Sequence, residues 1–204
     1  MQFRGLPLCV AALALMAVIP SARATTVIQP TFEQMVGSAD YVVRVVVKSV
    51  ESSWRDDTTR PGQRYIGSNI TLDVREVITG TPPQPLVLDV VGGKVGKEEL
   101  SISGTPKLVV GQECILFVRG NGRTFFPVVG LNHGYFPVHR DARTGDAQVL
   151  HADGRLLYNT QELDPVADNT RVAHGPLDRP LTPQGFSAQI QQQRSAILSR
   201  EKQK

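Results

Sequence analysis

The sequence predicts a mostly β fold, a small barrel-like domain with one short N-terminal helix and a C-terminal helix after a Pro-rich arm. Three observations predict it. Ile70, Leu72 and Val74 alternate with Thr71, Asp73 and Arg75 at period two, the mark of a half-buried strand. Turn residues then punctuate the chain at short intervals, at Gly80-Thr81-Pro82-Pro83, Gly92-Gly93, Gly104-Thr105-Pro106 and Gly120-Asn121-Gly122. Finally, Cys114 is left as the single cysteine once the leader described next is set aside, so the core rests on burial and not on a disulfide.

Residues 1–24 read as a secretory signal. Arg4 gives a positive start, an apolar run follows from Leu6 to Ile19, and Ala22-Arg23-Ala24 ends it in a small-residue cleavage pattern. The run is shorter than the roughly 20 residues a membrane span needs. Cleavage is expected after Ala24, leaving an exported, periplasmic or extracellular chain that starts at Thr25 and has no membrane span.

Thr31 and Gln34 have the spacing of a capping box, so a short helix is expected there, with Gly37 ending it. Residues 39–50 are dense in Val and make a strand in which Tyr41, Val43, Val45 and Val47 face a core. Residues 55–63 read as an exposed loop. A second strand runs over 70–78, a third over 86–91 and a fourth over 114–118, while the pattern from 94 to 109 is weak. The Gly120-Asn121-Gly122 turn leads into a strand at 124–129, because Asn and Gly tolerate positive φ. Short strands at 135–139 and 149–158 follow, around a loop at 141–146.

Past Asn159 the character changes. Pro165, Pro176, Pro180 and Pro183 fall in a stretch with almost no periodicity, and a helix follows over 183–198 with Phe186, Ile190, Ile197 and Leu198 as a thin apolar stripe. The organisation expected is a signal at 1–24, the β domain at 25–159 and an arm with its helix at 160–204.

Charge and motifs exclude more than they assign. The chain has 22 basic residues, two of them in the leader, against 19 acidic ones, which leaves the rest at +1. That is no nucleic-acid footprint, since phosphate binding calls for clustered Lys and Arg. His133, His139, His151 and His174 lack metal-ligand spacing, so surface loops are the simpler reading, and neither a metal nor a cofactor is expected. Gly92-Gly93-Lys94-Val95-Gly96 lacks the full phosphate-loop spacing and reads as a strand end, and there is no Gly-x-Ser-x-Gly elbow. Cys114, flanked by Ile115-Leu116-Phe117, reads as a core residue rather than a nucleophile. Two binding candidates remain. Trp54 and Arg55 follow the long first strand, and His133 and Tyr135 lie in a turn at a barrel mouth.

Several segments fall together: Phe32-x-x-Met35-Val36-x-x-Ala39-Asp40, Val74-Arg75-Glu76-Val77-Ile78-Thr79-Gly80, Gly111-Gln112-Glu113-Cys114-Ile115-Leu116-Phe117 and Val129-Gly130-Leu131-x-x-Gly134-x-Phe136-x-Val138. This pattern resembles a group of exported bacterial proteins sometimes found near matrixin-type metalloproteases. The helix-strand opening is also similar, distantly, to tissue-inhibitor-of-metalloproteinase and netrin-like modules, which implies an OB-like barrel. Those inhibitors bind the protease zinc through an N-terminal cysteine's amine and carbonyl. Here Thr25 stands at the expected mature start, and its amine and carbonyl would offer two ligands. The expectation is an exported, noncatalytic binding module that engages or restrains a secreted metalloprotease. The alternative is a cell-envelope domain that binds glycan or protein, ahead of a hydrolase or redox enzyme using Cys114 or the histidines.

Overall fold

The computed structural model describes residues 28–165, 174–175 and 177–203. The signal and Thr25 lie outside them. Among the described residues, eight strands, two α-helices and a 3-10 turn follow in chain order. Helix α1 is Phe32–Ser38, and β1 (Tyr41–Asp56) and β2 (Arg64–Gly80) form a long antiparallel pair. Then come β3 (Leu86–Val91), β4 (Gly93–Val95), β5 (Glu98–Leu100), β6 (Glu113–Val118), β7 (Tyr135–Arg140), β8 (Ala147–Val149), the 3-10 turn (Thr160–Leu163) and α2 (Pro183–Glu201). Among the described residues no helix is long and apolar enough to cross a membrane.

The mostly β character is as expected, but no closed barrel of strands forms among the described residues. Six strands make one sheet in the order β3-β2-β1-β6-β7-β8, and β4 and β5 form a separate hairpin. What stands in for closure is a loop. After β6 the chain turns at Gly120 and runs back to the outer edge of β3. There the Asn121 side chain donates to Val87 O (2.7 Å) and accepts from Asp89 N (3.1 Å), while Val91 N donates to Phe125 O (2.7 Å). Three backbone groups of an edge strand are thereby satisfied without a further strand.

The strand expected at 124–129 is absent for the same reason. Its hydrogen bonds divide between two neighbours: Phe125 O serves β3, and Val128 bridges to Val118 on β6.

Each face of the sheet carries its own core. Tyr41, Val43, Val45 and Val47 point to one side with Leu72, Leu86, Leu88, Leu116 and Phe126, which confirms the period-two reading of β1. The other side holds Val42, Ile115, Phe117 and Phe136 under α1 and α2. Strand β6 is therefore buried on both faces, Cys114, Leu116 and Val118 to one and Ile115 and Phe117 to the other, which explains its unbroken apolar run.

Helix α1 starts as expected, with Thr31 Oγ1 accepting from Gln34 N (3.1 Å) and the Gln34 side chain accepting from Thr31 N (3.0 Å). Helix α2 is no loose appendage. Phe186 and Ile190, one turn apart, are fully buried, and the Phe186 ring packs edge-on to Phe136 with centroids 4.9 Å apart. Arg194 reaches from α2 to the carbonyls of Val36 and Gly37 at the end of α1, 3.2 Å each. A boundary at Asn159 thus runs through one core, since Leu157 on one side of it packs with Leu163, Phe186 and Ile190 on the other.

Candidate functional site

Strand β1 outruns its neighbour β6, which pairs with it only from Tyr41 to Val46. Beyond Val47 the β1–β2 hairpin continues as an arm. Its tip is fixed by Asp57, whose carboxylate accepts from Thr59 N (2.9 Å), Thr59 Oγ1 (2.6 Å) and Arg60 Nε (2.8 Å). Those Thr59 hydrogen bonds, with help from Arg60, pull the Asp57 pKa down to about 2, so the tip keeps its charge over the ordinary pH range.

The β4–β5 hairpin lies across one face of this arm. Ser52 and Ser68, paired across the strands, share a hydrogen bond of 2.8 Å; Ser68 donates to Gly92 O (2.6 Å), and Lys94 N donates to Ser52 (3.3 Å). Gly93 is required here, because at φ 134° a Cβ would run into both serine hydroxyls.

Between arm and hairpin lies a groove of about 540 Å³. Its lining brings together Trp54, Arg60, Arg64, Tyr65, Glu98 and Leu100. Trp54 is 36% exposed, and the Arg64 guanidinium carbon stands 5.1 Å from its ring centroid. The groove has an aromatic anchor, the Arg64 guanidinium and the Arg60–Asp57 ion pair on the arm, and the carboxylates of Glu98 and Glu99 on β5. That mix suits an amphipathic partner carrying both charges, not a polyanion.

The other expected site residues are not gathered here. Arg55, next to Trp54 on a strand, points to the opposite face, where it crosses over Gly67 to pair with Asp89 and donates to Asn69 Oδ1 (2.8 Å). Its role is to tie β1 to β3. Tyr135 is buried in the first core, and burial pushes its pKa up to about 12. His133 is half-buried, with its pKa lowered by desolvation. Neither lines the groove. Thr25 is outside the described residues. A larger groove of about 670 Å³ between the helices offers no aromatic side chain for an anchor.

Cys114 is fully buried, and burial, reinforced by the neighbouring Glu113 charge, pushes its pKa up to about 12. It stays protonated near neutral pH, which removes it as a nucleophile. Cys114→Val is expected to cost under about 1.5 kcal/mol in urea unfolding. The native thiol should resist an aromatic disulfide reagent until denaturant is added; rapid labelling of folded protein would contradict this.

One cluster went unseen in the sequence. Glu162 Oε1 accepts from Tyr158 N (3.1 Å) and Asn159 N (2.8 Å), while Oε2 faces His151 Nε2 at 3.3 Å and His174 Nε2 at 3.6 Å. The Tyr158 ring stacks on His174 at 3.8 Å. The available signal was the Asn159-x-x-Glu162 capping spacing. Among the described residues no group of three or more His, Cys, Asp or Glu is arranged to hold a metal ion. The cluster fastens the arm to the domain. No protein-family model matches this chain, and no curated protein matches it in sequence.

Proposed function

We propose that this chain is an exported, noncatalytic binding module that contacts its partner through the Trp54 groove. The partner class is a secreted or cell-envelope protein, with a matrixin-type metalloprotease as the first candidate. The observation that carries the reading is Trp54 itself, the only tryptophan in the chain, partly exposed in a groove that also holds Arg64 on the arm and Glu98 and Glu99 on β5. Amphipathic aromatics in such positions are the usual anchors of protein interfaces. The curled sheet supports an OB-like, inhibitor-like barrel, since the loop at Asn121 and Phe125 links β6 to the edge of β3.

Because Trp54 is the sole indole, its fluorescence reports on the groove directly. Titration with a purified matrixin-type protease from the exporting cell should shift the emission, and cleavage of a peptide substrate should be followed in the same samples. Trp54→Ala, which removes the indole and is therefore compared with the native chain by isothermal calorimetry, is expected to weaken binding at least tenfold, in line with loss of an interface anchor of about 2 kcal/mol, while leaving the circular dichroism spectrum intact. Equal binding by the variant, or no shift at all, would discard the reading. A shift with soluble peptidoglycan fragments alone would move it to the glycan-binding alternative, in which the indole stacks on a sugar ring.

A further inference from the structure

Strand β6 accompanies β1 only from Tyr41 to Val46, and one further rung follows, in which Val47 N donates to Gln112 O (3.0 Å) and Gly111 N donates to Val47 O (2.8 Å). The preceding turn, Val109–Gln112, is closed by Gln112 N donating to Val109 O (3.0 Å) and stands at this point. Lys48, the bulged residue of β1, sits with Val46, Thr71 and Asp73. From Ser49 to Asp56 the β1 backbone makes no hydrogen bond outside its ladder with β2 among the described residues. The result is a slot in line with β6, walled by β1 and footed by the Val109–Gln112 turn.

Edges of this kind accept a further strand, and proteins that do not use them blunt them with Lys, Pro or bulges. Neither Lys nor Pro occurs between Ser49 and Asp56, and the bulge lies below the slot, not along it. Large apolar side chains are exposed around it instead. Val50 and Trp54 lie on the groove face, 38% and 36% exposed, and Val109 and Val110 at the foot, 60% and 59%. The unpaired charge of the slot has one sign. Arg55 is tied to Asp89, whereas among the described residues neither Glu51 nor Asp56 has an ion-pair partner. Arg64, opposite Asp56 in the register, lies over the Trp54 ring.

We propose, resting on the Trp54 groove as the contact site, that this slot takes an extended segment of the partner protein as an added strand, in which apolar residues alternate with polar ones that include Lys or Arg. Main-chain hydrogen bonds to Ser49–Asp56 hold the guest, and its alternate side chains select it. On one face its apolar side chains cover Val50 and Trp54. On the other a basic side chain meets Glu51, because opposite charges attract across strands and like charges repel.

The probe is the octapeptide acetyl-(Lys-Val)4-amide, titrated into the native chain and followed by Trp54 emission. Two isomers carry N-methyl groups, one on every Val nitrogen and the other on every Lys nitrogen. Successive amides of a strand point to opposite sides, so an added strand tolerates one isomer and rejects the other. The parent and one isomer are expected to bind alike, with the second isomer and acetyl-(Glu-Val)4-amide each weaker by about tenfold or more. Glu51→Lys, at an exposed position, should weaken the Lys-Val octapeptide about fivefold with an unchanged circular dichroism spectrum. Two isomers that behave alike, or a parent that does not bind, overturn strand addition. So does a Glu-Val octapeptide that binds as well as its Lys-Val counterpart, or a Glu51→Lys chain that binds as the native one does. The protease titration with Trp54→Ala decides the groove itself, so the two readings fail separately.

Discussion

Phe186→Ala is expected to lower the free energy of unfolding by about 3–5 kcal/mol, a large share of what holds a domain of this size together. The ring is fully buried and lies within 6.2 Å of the Phe32 and Phe117 centroids as well as close to Phe136. Removing it leaves a cavity between the sheet and both helices that the surrounding rings cannot collapse to fill. Leu198→Ala on the same helix, where the side chain is 43% exposed, should change stability by less than about 0.5 kcal/mol. Urea denaturation followed by circular dichroism measures both. A loss below about 1 kcal/mol for Phe186→Ala would mean that α2 does not belong to the core. Truncation after Asn159 should be harsher still, exposing Val42, Ile115, Phe117 and Phe136 together and leaving no cooperative transition.

Gly80→Ala should cost about 2–4 kcal/mol, and the reason is backbone on backbone. Gly80 closes the β1–β2 ladder opposite Tyr41 with φ at +76°, and a Cβ there would collide with the Asp40 carbonyl oxygen and stand 2.7 Å from Tyr41 Cα. Neither atom belongs to a flexible side chain, so the strand end must move. Gly96→Ala is the control, because Gly96 also has positive φ, at +61°, but nothing lies within 4 Å of its Cβ position. That change should cost only the left-handed strain of about 1 kcal/mol. Thermal unfolding of the two variants separates conformational strain from close approach; equal losses would assign the whole effect to φ.

The main strands were legible because their burial follows a local rule. Period two in β1 and β2, the short apolar runs of β3 and β6, and the Thr31–Gln34 cap of α1 all depend on residues a few positions apart. What escaped depends on distant partners. The stretch at 124–129 has strand composition, yet its hydrogen bonds go to Val91 and Val118 on different strands, and Pro127 has no N–H to add to a ladder. Helix α2 buries only its first turns, so Phe186 and Ile190 carry the docking while the polar remainder dilutes any periodic signal.

The site was half legible for the same reason. Trp54 could be singled out as a large aromatic at a loop edge, but Arg60, Arg64 and Leu100 join it only through the turn at Asp57 and the hairpin clamped by Ser52 and Ser68. Its sequence neighbour Arg55, an obvious companion on paper, faces the other way.

That α2 follows every strand in chain order has a kinetic side. A polypeptide that emerges N-terminus first, from a ribosome or through a narrow channel, can pair β1 with β2 early but cannot cover the second core until Phe186 and Ile190 arrive. Until then Ile115, Phe117 and Phe136 lack their lid, and contacts such as Arg194 to Val36 span most of the chain. The order of synthesis thus delays completion of the second core until Phe186 and Ile190 have been delivered.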